Sequence, residues 1–268
     1  MLNTYATIAL LVGVVGVNSK SLDPTPFVIN GQIADYVPHN AYILFMTEQM
    51  SGFFGGGSVI SNRHILTAAQ NIKGYSIWDI GLGADSVFGN QQFYRSRNAL
   101  FHPQFNATTR QNDIGIVFLP NPVDISGPMV RRIPLPAAAG SFRLPLENEQ
   151  GYVVGFGNEK TPGPGSFLMQ GFQRVTGETR CRAIYQNQPT DRFCAEDALV
   201  NACNGDIGAG FVSHINNRQV LFMLDNNFGL QKVISMIDAC TSLQKVLMEP
   251  SFASLTSSLD KAFSKLCP

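Results

Sequence analysis

Charge is what this sequence has least of. Only 14% of its 268 residues are Asp, Glu, Lys or Arg, against roughly a quarter in an average globular chain. The 19 basic and 19 acidic residues cancel, and no basic run stands out. That excludes an electrostatic grip on nucleic acid or on an anionic membrane surface. Histidine occurs four times, at 39, 64, 102 and 214. The chain has no H-x-x-x-H, no C-x-x-C and no clustered carboxylates, so no metal and no cofactor is expected. The glycine-rich runs lack a phosphate-loop lysine and read as strand and turn glycines. Long apolar stretches are also missing, apart from Ile8–Val17, which is too short to span a bilayer as a helix.

What the chain has in quantity is apolar and turn-forming residues. Hydrophobic residues make 44%, with 25 glycines and 15 prolines. This mixture suits an all-β fold better than a helical bundle. The length allows one large core or two small ones. Residues 1–19 read as a secretory signal peptide with a weak basic region; the alternative is an N-terminal anchor. Residues 20–27, with Pro24 and Pro26, form a short segment before the main domain. Secretion permits disulfides, and the five cysteines leave at least one without a partner in its own chain. Asn106-Ala107-Thr108 is an N-glycosylation sequon.

Strands are expected at Ala41–Thr47, Ile77–Gly83 (with Trp78, the one tryptophan) and Gln92–Ala99, from their β-branched and aromatic runs between turn signals. The tail, Ser251–Leu266, places Leu255, Leu259, Phe263 and Leu266 at helical spacing.

Several motifs then occur in a fixed order. Gly55-Gly56-Gly57-Ser58-Val59-Ile60 is followed by Leu66-Thr67-Ala68-Ala69-Gln70-Asn71. Next come His102-Pro103-Gln104-Phe105, Asn112-Asp113-Ile114 and Val153-Val154-Gly155-Phe156-Gly157. Last is Cys203-Asn204-Gly205-Asp206-Ile207-Gly208. Together they resemble the chymotrypsin-like serine proteases over about Val28 to Phe263. The wording around Trp78–Gly83 and Arg110–Asp113 is similar to arthropod members. The resemblance implies two six-stranded antiparallel β-barrels, roughly 28–136 and 137–268, with a C-terminal α-helix. It implies disulfides Cys181–Cys194 and Cys203–Cys240, leaving Cys267 over. Gly55 and Asn71 stand where the family has a further cysteine pair. Val28 is similar to the family's mature N-terminus, which in active members is freed by a cut and pairs with the aspartate here numbered Asp206. Phe27, before that cut, suits a chymotrypsin-like rather than a trypsin-like activator. In the uncut chain Asp206 must find another partner, stay solvated or protonate.

At the residues that would carry the chemistry the sequence departs from the family. Acyl transfer by this mechanism needs a hydroxyl nucleophile, a base near neutral pKa and a group that orients the base. The resemblance assigns these roles to positions 207, 70 and 113, which hold Ile207, Gln70 and Asp113. A hydrocarbon cannot attack, and a carboxamide takes no proton at physiological pH. Asp113 is then expected to bond backbone or Gln70, as buried polar groups normally do. The oxyanion-hole N–H groups of Gly205 and Ile207 can persist, although a β-branched Ile207 is expected to crowd the scissile carbonyl and to distort the loop. The pocket positions map to Asn201 at the base and Ser235 and Ile237 on the wall, with Ile237 blocking entry. His64 is expected on a strand and His102 in a turn, each histidine being read as a surface or turn residue rather than a base.

The expectation is therefore a secreted serine protease homologue that is not an enzyme and acts by binding a protein. That partner would be a protease, an inhibitor, a cascade component or a host protein. The alternatives are a residual serine-type endopeptidase, and a structural or storage protein, monomeric or linked through Cys267.

Overall fold

A computed structural model describes residues 28, 31–35, 37–83, 85–86, 89, 92–135, 145–157, 167–184, 192–197, 200, 202, 205–215, 218–227 and 230–234. The leader and short segment at 1–27 (Val28 apart), the pocket residues Asn201, Ser235 and Ile237, Cys203, Cys240, Cys267 and the expected tail helix all lie outside the described residues.

The strands of the first half are β2 (Asn40–Met46), β3 (Gly52–Val59), β4 (His64–Thr67), β5 (Ile77–Leu82), β6 (Gln92–Ser96), β7 (Ala99–Phe101) and β8 (Gly115–Phe118). They form one antiparallel sheet in the order β6-β5-β2-β3-β4-β8-β7. The single strand expected at Gln92–Ala99 is split. Ser96 Oγ has one proton, within reach of the carbonyl oxygens of Phe118 (2.7 Å) and Asn98 (3.1 Å), and it accepts from the Asn98 N–H (3.0 Å). A side chain that bonds locally in this way displaces the regular ladder. Taken as one interrupted strand, β6 and β7 lie next to β5 at one end and β8 at the other. The sheet thereby becomes a six-stranded barrel.

The second half holds β9 (Gln150–Gly155), β10 (Met169–Thr176), β11 (Arg192–Glu196), β12 (Gly210–Ile215), β13 (Arg218–Asn227) and β14 (Leu230–Ile234). The order β10-β11-β14-β13-β12-β9 closes on itself, because β9 also pairs with β10. This is a six-stranded barrel. The short strand β1 (Gln32–Ile33) pairs with β10, so the chain begins on the second barrel before it builds the first. β10 shows why these residues make a strand: Met169, Gly171, Gln173 and Val175 are buried while Phe172 and Arg174 are exposed, the two-residue period of a half-buried sheet. The helix α1 (Glu178–Ile184) was not anticipated; only its Cys181 stood out in the sequence.

Each barrel has its own core. Ile43, Phe45, Trp78, Ile80, Leu82 and Val117 fill the first. In the second, Phe193 meets the rings of Phe211 and Phe222 edge-on, both at 5.5 Å. A further cluster, including Ile60, Leu66, Ile116, Val212 and Leu221, joins the two. The backbones approach closely there. A Cβ on Gly56 would stand 2.7 Å from that of Ala209, so glycine is required where the nucleophile-like loop leans on β3.

The histidines correct the expectation in part. His39, His64 and His102 are all buried, yet His39 and His102 sit in turns, His214 is exposed and His64 lies on β4; the Nδ1 of His102 accepts from the Gln104 N–H at 3.1 Å. Burial holds the imidazoles of His39 and His64 down at about 4, with the Arg63 charge adding to the effect on His64.

Candidate functional site

The site is assembled from three segments at the seam between the barrels. The first is a single 3-10 turn, Ala69–Asn71, that follows β4. It carries Gln70. The second is the approach to β8, which carries Asp113. The third is the turn Gly205–Ala209 before β12. A carboxylate buried at 0% exposure requires donors, and Asp113 has them. The Gln70 backbone N–H donates to Oδ1 at 2.8 Å and the Gln70 carboxamide Nε2 donates to Oδ2 at 2.5 Å. The expected Gln70–Asp113 contact is thus present, and it is bidentate.

The loop Gly205–Gly208 keeps regular turn geometry. Its left-handed residues are glycines, Gly205 (φ +96°) and Gly208 (φ +85°), while Ile207 between them is not left-handed. The expected distortion by a β-branched residue is therefore absent: the angles that Ile207 could not adopt without strain fall on its neighbours. Ile207 is half-buried and packs on the cluster that joins the barrels. Its carbonyl accepts from the Gly56 N–H and from Asn71 Nδ2, both at 2.8 Å. The aromatic ring of Phe54 lies directly against the Cα of Gly205, where a Cβ would meet it at 2.0 Å.

Asp206 is buried at 1% exposure. The Gly157 N–H donates to its Oδ1 at 2.7 Å. Gly155 and Gly157 form a cradle without side chains, since a Cβ on either would stand 1.9 to 2.5 Å from the carboxylate. The sequence signalled this pocket only as a Gly-x-Gly pair. Val28 is completely buried in the second core, with the side-chain carbons of Val28 and Val200 both reaching the Cα of Gly171. So the structure sets Val28 beside the segment that leads to the expected pocket base.

Cys181 on α1 and Cys194 on β11 form a disulfide with Cα atoms 5.8 Å apart, as the resemblance implied. Asn106 is exposed, and its Oδ1 accepts from the N–H groups of Thr108 (2.9 Å) and Thr109 (3.1 Å). Among the described residues no group of three His, Cys, Asp or Glu is placed to hold a metal ion, and no helix is long and apolar enough to cross a membrane. Reasoning from sequence missed the roles of Asn71 and Thr67. The one signal was the polar Asn71 where the family has a cysteine.

The family model described as Trypsin matches residues 30–254. A trypsin of Sus scrofa is 31% identical over 59% of this chain and 69% of its own length. A calcium-dependent serine proteinase of Mesocricetus auratus is 28% identical over 60% of this chain, but the match spans only 26% of that longer protein. A solved structure of HL collagenase has the same fold, with a TM-score of 0.67 at 21% identity, covering 81% of this chain and 97% of the collagenase chain. These comparisons correct the expectation that the chain is not an enzyme, because the named relatives are proteases. There is a physical reason why that expectation overreached. Replacing two side chains removes one route for a proton, whereas backbone donors and binding do not depend on those side chains. In this mechanism, loss of triad members leaves roughly 10³–10⁴-fold catalysis over water. From the family match and the two barrels with their seam, the conclusion is that this chain belongs to the trypsin family of serine proteases.

Proposed function

We propose that this trypsin-family chain is secreted and works chiefly by holding a segment of another protein in its cleft. On this reading, peptide hydrolysis runs at the remnant rate that backbone donors and binding supply. The observation that carries the reading is the Gln70–Asp113 pair. Both carboxylate oxygens of Asp113 are engaged by Gln70, a group that cannot relay a proton, and Ile207 brings no hydroxyl to the loop. The ordered turn at Gly205 and Gly208 supports retained binding. The partner class is a protease, an inhibitor, a cascade component or a host protein. An N-linked glycan at the exposed Asn106 belongs to the same reading.

The test pairs binding with turnover. Calorimetry against a small inhibitor protein that inserts a rigid loop into trypsin clefts should give micromolar affinity or tighter. Turnover of a mixed peptide library should fall far below the ordinary range of about 1–10³ per second. Turnover within that range would replace this reading with that of an ordinary protease, and absence of inhibitor binding would remove the cleft as the working surface. A non-reducing gel of the same preparation, before and after glycosidase, reports on the glycan and on a Cys267-linked dimer.

A further inference from the structure

The buried side chain of Asn71 does something that neither the family match nor the cleft reading assigns. Asn71 is 1% exposed. Its Nδ2 donates to Thr67 Oγ1 at 3.0 Å and to the Ile207 carbonyl at 2.8 Å. The Thr67 hydroxyl spends its own proton on the Gly56 carbonyl at 2.8 Å, so toward Asn71 it can only accept. The Ile207 carbonyl can only accept as well. The position between them therefore demands a short side chain with two protons on one atom. Asparagine supplies this; Asp and Leu supply neither proton, and Ser supplies one.

The surroundings are shaped to that carboxamide. A Cβ on Gly55 would stand 2.8 Å from Asn71 Nδ2 and from the Ile207 oxygen. A Cβ on Gly208 would stand 2.3 Å from Thr67 Oγ1 and 2.7 Å from Asn71 Nδ2. Glycine at 55 and at 208 leaves room for the polar cluster. From the other side, the main-chain carbonyl of Asn71 accepts from Trp78 Nε1 at 2.9 Å, which ties the turn to β5.

We propose that Asn71 is a positioning residue: its two donated hydrogen bonds fasten the Ile207 turn to the first barrel, and so set the orientation of the Gly205 and Ile207 N–H groups. It occupies the place where the resemblance implies a covalent staple. That staple would run to position 55 on β3, whereas the carboxamide ties the Gln70 turn to the Ile207 turn instead, and does so only in the folded state. The consequence for ligand binding rests on the cleft reading above, whereas the fastening of the turn does not.

The test is amide NMR and hydrogen exchange on the full chain without ligand. In the wild type, the Asn71 Nδ2 protons should be protected from exchange. In Asn71→Asp and Asn71→Leu, the amides of Gly205, Ile207 and Gly208 should shift. The Gly56 amide, bonded to the Ile207 carbonyl, should exchange about tenfold faster, the size of one lost hydrogen bond. The amides of Val153 and Phe222, in the core of the second barrel, should keep their protection; a merely structural loss would speed all sites alike. Thr67→Val, which removes the acceptor that aims the carboxamide, should move the same loop amides by less. Unprotected Asn71 Nδ2 protons in the wild type would overturn the proposal, as would loop amides unmoved in any of these variants that folds. Loss of inhibitor binding with these signatures intact would count against the cleft reading alone.

Discussion

Two loops of this molecule are held in different ways. In the second barrel, α1 and β11 are joined by a covalent bond between Cys181 and Cys194. At the seam of the barrels, the turn of Ile207 is joined to the turn of Gln70 by hydrogen bonds through Asn71. The first connection acts largely on the unfolded chain, by shortening the loops it can sample. The second acts only once the interior is assembled and dry, because water competes for exposed donors. The half of the molecule without a described disulfide therefore depends more on packing and on buried polar groups, and its weak points are electrostatic.

The sharpest way to expose that contrast is acid. His39 and His64 both belong to the first half, and burial lowers their values from 6.5 to about 4. Between those values the unfolded chain binds protons that the folded chain refuses. Stability is therefore full above about pH 6.5 and is lost as pH falls toward 4, on the order of 5 kcal/mol for the pair. Urea unfolding across this range should show the loss, and His39→Gln should remove close to half of it. His39 Nε2 has no hydrogen-bond partner among the described residues, so its neutral form has little to lose. A flat profile would show that these side chains are hydrated.

Breaking the covalent connection comes next. Cys181→Ala with Cys194→Ala should lower the free energy of unfolding by about 3 kcal/mol, the value for a loop of this size. The pH profile of the first half should keep its shape. Gln70→Ala should cost about 1–3 kcal/mol, since it strips a donor from the buried Asp113, and should leave the second half's exchange rates unchanged. Smallest of all is Arg95→Ala. Its ion pair with Asp79, at 2.7 Å, has an exposed guanidinium, and its loss should leave the urea midpoint almost unchanged, since water and salt screen such pairs.

Much of the fold was legible because strands follow from local pattern. β2 and β5 lie within a residue of the runs that suggested them. Other features were illegible for definite reasons. Ser96 interrupts a strand by bonding its own neighbourhood and Phe118, 22 residues away, which no window of sequence contains. His39 and His64 are polar in any window, and only tertiary packing buries them, His64 against the ring of Phe118. Ile207 was expected to distort its turn because its β-branch was weighed without the flanking Gly205 and Gly208, which take up the left-handed angles. The expectation that the chain is no enzyme failed differently. It gave the loss of two side chains more weight than the backbone donors that the same reading left in place, although backbone contributions are independent of side-chain identity.

By itself, the order of residues determined the all-β character and the carboxamide and hydrocarbon at 70 and 207, since strand period, turn glycines and side-chain chemistry are local properties; the two-barrel plan came from the resemblance that its motifs carry. Only the tertiary structure decided what those residues do to one another. Asn71 and Ile207 are 136 positions apart, and their contact exists because two independent barrels close against each other. A hydrogen bond across such a seam is written in neither segment, as it depends on a distance that packing alone sets.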